Sequence, residues 1–112
     1  MRRLGEAAHR KPDDADILGL LGSVHLDLED PAAALTCFDR ARRTDRTPEQ
    51  LARLLRESAR AHRQLGQFEA ALEDAREAST HDDTDARSWL SIGLAQLGLG
   101  RNEAAAIAFR RG

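Results

Sequence analysis

The four histidines and the single cysteine are the residues best suited to bind a metal ion or act as a nucleophile. They are His9, His25, His62, His81 and Cys37. His25 and His62 occupy equivalent places on successive predicted helices, and such neighbouring helices lie roughly 8–10 Å apart. No carboxylate or cysteine completes a ligand set at metal spacing, so packing between helices is the better interpretation. Cys37 has no histidine partner in a nucleophile motif, and we expect a partly buried apolar residue. The sequence therefore predicts no catalytic residue, no cofactor and no metal ion.

Two aspartate runs and one glycine pair superficially resemble ion and phosphate loops. The aspartates stand in Asp13-Asp14-Ala15-Asp16 and in Asp82-Asp83-Thr84-Asp85. Neither run has the glycine and the distant glutamate of a calcium loop. Both precede a predicted helix, where carboxylates stabilise free N–H groups. Gly98-Leu99-Gly100-Arg101 lacks the following lysine and hydroxyl residue of a phosphate loop.

Four arginines form the most unusual charge pattern. Arg53, Arg56, Arg60 and Arg63 are spaced by three, four and three residues, which places them on one face of one helix. Charge also separates along the chain: residues 12–39 hold seven acids and no lysine or arginine, while residues 40–63 hold eight arginines and three acids. We call the four residues the arginine face.

The arginine face has two possible roles, one structural and one in binding. Asp16 and Asp27 of the preceding helix, together with Glu57, are able to neutralise it, but exposed ion pairs contribute only about 0.2–1 kcal/mol each. Binding of an acidic ligand is the role that we favour. Nucleic acid is disfavoured because no aromatic side chains interleave with the arginines for base stacking.

Composition indicates a helical chain without a membrane segment. Helix formers dominate the 112 residues, only 4% are aromatic, and the net charge is −2. The first eleven residues carry four basic side chains and no apolar run, unlike a signal peptide. No apolar stretch approaches 18 residues. A single cysteine fits a reducing compartment, and we expect a cytoplasmic protein with no membrane or nucleic-acid partner.

A period of 34 residues runs through the chain. It relates Ala71 to Ala105 and Gly66 to Gly100, while the step from Ala34 to Ala71 is 37 and indicates an insertion of three. Each unit is predicted to contain two helices. Starts are indicated by Pro31 and by a capping box at residues 47–50, and a stop by Gly66. The predicted helices are 3–11, 15–28, 31–43, 48–65, 68–80, 86–98 and 102–111.

The repeated unit resembles the tetratricopeptide consensus W-x2-L-G-x2-Y followed by A-x3-F and a proline. The last unit has Trp89, Ile92, Gly93, Ala105 and Phe109 at these places, and the first has Leu18, Leu21, Gly22, His25, Ala34 and Phe38. The middle unit is degenerate, with Leu55, Ser58, Ala59, His62, Ala71 and Ala75. Only Pro12 stands at the closing proline position, which Arg46 and Asp83 take in later units.

The resemblance implies an all-α fold, a right-handed superhelical stack of antiparallel helix pairs forming one array over residues 1–112. Its units would be residues 1–14, as the second helix of a truncated repeat, then 15–51, 52–85 and a truncated 86–112. No hairpin buries its apolar face alone, so the units must stack. We expect Trp89, Phe38, Leu21 and Leu72 in the core. We also expect an excerpt of a longer array, with exposed apolar ends at which Leu94, Leu97, Ile107 and Phe109 lack a cover.

The resemblance also implies that the first helix of each unit lines a concave groove. The predicted partner-binding groove consists of Arg53, Arg56, Arg60, Arg63, Arg87, Leu90 and Leu94. The family's carboxylate clamp needs lysine and asparagine where this chain has Gly19, Ser23, Glu57, Arg87 and Ser91, so a chaperone tail is not supported.

The main hypothesis is a non-catalytic scaffold that binds a protein or peptide segment, favoured to be acidic, in this groove. The alternatives are a structural or oligomerisation spacer that self-associates through its ends, and a regulatory segment of a larger enzyme. The partner, the pathway, the parent protein and the oligomeric state are not encoded in these patterns.

Overall fold

The computed structural model describes residues 15–43, 47–81 and 86–111. These residues contain six helices. We number them α1 (Ala15–Asp27), α2 (Pro31–Ala41), α3 (Pro48–Gln64), α4 (Phe68–His81), α5 (Ala86–Gly98) and α6 (Asn102–Arg111). Their bounds agree with the predicted helices to within two residues. The predicted helix 3–11, the closing proline Pro12 and most of both aspartate runs lie outside the described residues.

The helix starts follow from local hydrogen bonding. The Asp30 side chain accepts the Ala33 N–H at 3.3 Å, and Pro31 occupies the first turn of α2. At α3 the predicted capping box is confirmed: Thr47 Oγ1 accepts the Gln50 N–H at 3.1 Å, and Gln50 Oε1 accepts the Thr47 N–H at 2.9 Å. Both arrangements satisfy N–H groups that have no partner within the helix.

The same chain reversal ends the first helix of each hairpin. The N–H groups of Asp30, Gln67 and Arg101 donate to the carbonyls of His25, His62 and Gln96 at 2.8, 2.8 and 2.9 Å. This bond requires a residue in the left-handed region just before the donor. Gly66 and Gly100 supply it with φ of 75° and 78°, whereas the first hairpin uses Glu29 at φ 59°.

The core lies between the helices of each hairpin and between successive hairpins. Phe38 and Leu72 are buried as predicted, at 1% exposure each, and Trp89 is half-buried with the Arg111 guanidinium 4.8 Å from its ring centre. The prediction for Leu21 is wrong, because this side chain is 46% exposed. Its face of α1 has no cover among the described residues, whereas the equivalent Ile92 is buried against the preceding hairpin.

The hairpins stack in chain order. Helix α3 packs on both α1 and α2, and α5 packs on both α3 and α4. The first helices of the hairpins are therefore neighbours along one side of the stack, while the described residues extend over 56 × 29 × 19 Å. None of the described helices is both long and apolar enough to cross a bilayer.

Candidate functional site

The predicted groove residues all lie on α3 and α5, which are neighbours in the stack. Helix α3 carries the arginine face, and α5 carries Arg87, Leu90 and Leu94. Because α3 also contacts α1, three successive first helices lie side by side on this side of the protein.

Arg60 is held by two carboxylates. Its Nη2 lies 3.7 Å from Asp27 Oδ1 on α1, and its Nη1 lies 3.9 Å from Glu57 Oε1 one turn earlier. Both distances are long and the Arg60 side chain is 44% exposed, so these ion pairs are weak. Neutralisation by Asp27 and Glu57 is therefore partial, while the Asp16 side chain lies outside what the structure describes.

Arg56 connects two hairpins. Its Nη1 donates to Ser88 Oγ on α5 at 3.3 Å, and Arg56 is half-buried. The Arg56 position therefore faces the boundary between neighbouring first helices, with only part of its side chain accessible.

Arg63 combines partial burial with a nearby like charge. It is half-buried, and its Nη1 is buried with no hydrogen-bond partner among the described residues. Burial lowers the pKa of the Arg63 guanidinium, the nearby Arg60 cation lowers it further, and Glu57 acts in the opposite direction. The charged form is thus disfavoured by desolvation and by a like charge, which an additional anion would relieve.

The residues on α5 lie toward the end of the stack. Leu90 is 49% exposed, Leu94 is half-buried and Arg87 is exposed. Ala86, Arg87, Leu90 and Phe109 line an open pocket of about 450 Å³, which we call the end pocket. The structure thus brings Arg60, Arg63 and Glu57 together, links Arg56 to α5, and places Arg87 and Leu90 beside Phe109 of α6.

A polar cluster that sequence analysis missed lies between α3 and α4. Ser58 Oγ donates to Asp74 Oδ2 at 2.7 Å, His62 Nε2 lies 3.5 Å from the same oxygen, and Arg42 Nη1 lies 3.8 Å from Oδ1. The serine donates to the carboxylate and not to the imidazole, so the arrangement differs from a serine–histidine nucleophile pair. The only sequence signal was Ser58 itself, a small polar residue where the other units have Leu21 and Ile92.

Comparison with known proteins places this arrangement among helical repeats. Two family models, both described as tetratricopeptide repeat, match residues 13–83 and 56–112. Similar solved structures include a MamA protein (TM-score 0.78, 22% identity, 90% of this chain and 54% of that one). A second is the second tetratricopeptide domain of Spaghetti (RPAP3) bound to an HSP90 peptide (TM-score 0.79, 21% identity, 88% of both chains). A third is the TPR2AB-domain:pHSP90-complex of yeast Sti1 (TM-score 0.79, 23% identity, 98% of this chain and 43% of that one).

These structures confirm the predicted all-α solenoid of helix hairpins. The chain spans about half the length of the MamA structures that it matches, 54% and 57%. At these identities the likeness concerns the fold.

Proposed function

The chain belongs to the tetratricopeptide repeat family, and from that premise we propose that it is a non-catalytic scaffold that binds an acidic segment of a partner protein across α3 and α5. Arg53, Arg60 and Arg63 would receive the acidic side chains, and Leu90 and Leu94 would contact an apolar residue of the same segment. Two of the similar structures contain HSP90 or a peptide from it, which supports a peptide or protein as the ligand class.

The observation that carries the proposal is the partial burial of the Arg63 guanidinium beside another cation. A half-buried guanidinium beside a second arginine, with a buried Nη1 that finds no partner in the described part of the chain, is unfavourable for the free chain. An aspartate or glutamate of a ligand beside the accessible part of this guanidinium would offset its poorly compensated charge.

A carboxylate clamp of the chaperone-binding type is not part of this proposal. Gly19, Ser23, Glu57 and Ser91 supply no lysine or asparagine at the clamp positions. We therefore expect recognition of acidic side chains along a segment and no requirement for a free terminal carboxylate.

The test is peptide selection followed by a charge-reversal variant. A random peptide display library selected against the chain should yield sequences rich in aspartate and glutamate with at least one apolar residue. A synthetic copy of the best sequence, with an amidated C-terminus, should bind the chain in isothermal titration with an affinity that falls as salt rises. The Arg53→Glu/Arg60→Glu variant should weaken this binding at least about tenfold, because it replaces attraction by repulsion at two sites.

The matched control is Arg40→Glu/Arg76→Glu. It changes the net charge equally, at two exposed residues on α2 and α4. Equal loss of binding in both variants would show that the peptide responds only to the net charge of the protein, and would contradict a site on α3. Selected peptides without acidic residues, or unchanged binding to Arg53→Glu/Arg60→Glu, would also contradict it.

A further inference from the structure

Both ends of the described stack expose apolar side chains. On α1 these are Ile17, Leu20, Leu21 and Val24, with exposures of 39%, 65%, 46% and 51%. We call these four residues the α1 face. At the other end Leu90 and Phe109 of the end pocket are 49% and 36% exposed.

The α1 face is equivalent, by the repeat, to a buried face of α5. A step of 71 residues relates Leu18 to Trp89, and the same step takes the four residues of the α1 face to Ser88, Ser91, Ile92 and Ala95. Those residues are 0%, 7%, 4% and 0% exposed. Ile92 and Ala95 lie in one apolar cluster with Leu72 and Ala75 of the preceding hairpin. The α1 face therefore corresponds to the face through which α5 packs on the preceding hairpin, and its side chains are larger and more apolar than those of α5.

The end pocket is equivalent to the surface on which α5 docks. A step of 34 residues relates Ala86, Leu90 and Phe109 to Ala52, Arg56 and Ala75. Ala75 is fully buried in one apolar cluster with Ile92 and Ala95 of α5, and Arg56 donates to Ser88 of α5. One end of the described stack thus presents the docking face and the other presents the surface that receives it.

We propose that the α1 face of one copy of this chain docks in the end pocket of a second copy and continues the stack from head to tail. The inner junction joins Arg56 to Ser88 at 3.3 Å. At the junction between copies the same two positions hold Leu90 and Ile17, so an apolar pair replaces a polar pair. Burial of exposed leucine, isoleucine and phenylalanine drives this association. This inference does not rest on the acidic ligand proposed for the arginine face, but the two share Leu90, so a docked second copy would compete with the apolar residue of that ligand.

Opposite charges at the two ends favour a second copy as the occupant. Residues 15–39 carry five acids and no lysine or arginine, whereas residues 86–111 carry four arginines and one glutamate. Charge complementarity steers the two ends together and opposes pairing of like ends. Such a head-to-tail contact does not close on itself in a dimer, so assemblies grow with concentration.

The repeat supplies a compensating pair for the test. Leu90→Arg gives α5 the residue that α3 has at the equivalent position, Arg56. Its guanidinium would face Ile17 of the second copy without a hydrogen-bond acceptor. Self-association, measured by sedimentation velocity, should therefore weaken at least about tenfold. Adding Ile17→Ser recreates the Arg56–Ser88 pair at the junction, so Leu90→Arg/Ile17→Ser should recover association. Nonspecific apolar clustering would instead weaken further with the second substitution, and that result would overturn the proposal.

Two controls distinguish this contact from general apolar adhesion and from cover of the α1 face by its own chain. Leu65→Ser removes a leucine that is 41% exposed and lies outside both surfaces, and should leave association unchanged. If the predicted helix 3–11 of the same chain covers the α1 face instead, Ile17→Ser alone would lower the melting temperature without changing association. That result would overturn the proposal.

A disulfide trap tests the contact even if Leu90→Arg impairs folding. Chains with Ile17→Cys and chains with Leu90→Cys, both also carrying Cys37→Ser, are mixed and oxidised. A disulfide-linked pair should form in the mixture far faster than in either chain alone, because only the mixture brings the two cysteines together across the junction. Equal cross-linking in all three samples would overturn the proposal.

Discussion

The aromatic ring of Phe38 occupies the space where a β-carbon on Gly22 would lie. The same relationship holds between Phe109 and Gly93 in the last hairpin. In the middle hairpin the equivalent positions hold Ala59 and Ala75, both fully buried. A larger residue on one helix is thus accompanied by a smaller one on its partner, so the two positions should be energetically coupled.

Gly22→Ala and Phe38→Ala should each destabilise the chain, and together by less than the sum. Phe38→Ala should cost about 3–5 kcal/mol from lost burial and a cavity. Gly22→Ala should cost about 1–3 kcal/mol because its methyl group meets the ring. The double variant reproduces the Ala59–Ala75 pair, and we expect a coupling of at least about 1 kcal/mol in urea denaturation.

Gly19→Ala is the matched control for this cycle. Apart from its own helix backbone, the described residues place no atom within 4 Å of a β-carbon at Gly19, so alanine should raise the free energy of unfolding by about 0.5–1 kcal/mol through helix propensity. Additive effects of Gly22→Ala and Phe38→Ala would show that the close approach has no energetic role.

The repeat made most of the fold predictable, because its signals are local. Pro31, the capping box at Thr47 and the glycine at Gly66 each specify a helix end within a few residues, and the helix bounds followed. The exposure of Leu21 was not predictable from its consensus position. That position is buried only when a preceding hairpin covers it, so its burial depends on neighbouring elements and not on the identity of Leu21.

The candidate site was less predictable than the fold. Helical spacing was enough to place the arginines on one face of α3. It was not enough to show that Arg56 would donate to Ser88, 32 residues away, or that Arg63 would be half-buried. Those outcomes depend on the angle between neighbouring helices, which side-chain packing sets. The Asp74 cluster was missed for the same reason, since its members come from α3, α4 and the end of α2.

Glu29 is the one turn position at which the first hairpin departs from the other two. It adopts φ 59°, where Gly66 and Gly100 stand at the equivalent places. Glu29→Gly should raise the free energy of unfolding by about 0.5–1 kcal/mol, because relief of the left-handed strain exceeds the entropic cost of glycine. Gly66→Ala should lower it by about 1 kcal/mol through backbone strain alone, since beyond its two neighbours in the chain no described residue has an atom within 4 Å of the added β-carbon. Thermal denaturation measures both, and a loss of stability in Glu29→Gly would contradict the prediction.

Asp74 should make stability depend on pH. Burial raises the pKa of the Asp74 carboxyl above its usual value of 3.8, and Glu77 acts in the same direction; Ser58, His62 and Arg42 oppose them. The folded chain then binds more protons than the unfolded chain between the usual and the raised pKa, so this group's contribution to stability falls as pH rises through that window.

Asp74→Asn removes this titration while keeping an oxygen that accepts from Ser58. Its stability relative to the parent chain should therefore increase as pH rises through the window and level off above it, as measured by urea denaturation at a series of pH values. Ser58→Ala is the opposite variant. It removes the hydrogen bond that favours the carboxylate, so it should extend the parent's pH-dependent loss of stability to higher pH. A constant difference between Asp74→Asn and the parent would contradict the assignment.

Arg63→Met separates a structural role of the arginine face from a binding role. Methionine retains most of the apolar length of arginine and removes the buried Nη1 that has no partner among the described residues. The free energy of unfolding should stay the same or rise by up to about 1 kcal/mol, because an uncompensated, partly desolvated cation is lost. Binding of the selected acidic peptide should fall at least about tenfold, because a guanidinium that donates to a ligand carboxylate is lost.

Arg43→Met is the control for the cost of removing an arginine in general. Arg43 is exposed just after the end of α2 and pairs at 3.1 Å with Asp39 of that helix, so its loss should change stability by less than about 0.5 kcal/mol and leave peptide binding unchanged. Replacing a residue with a structural role lowers the free energy of unfolding. Replacing a residue that only binds a ligand lowers the affinity for that ligand and leaves the stability unchanged. If Arg63→Met is destabilised by more than about 1 kcal/mol while peptide affinity stays at the parent value, Arg63 is a structural residue and the acidic-segment site on α3 is wrong.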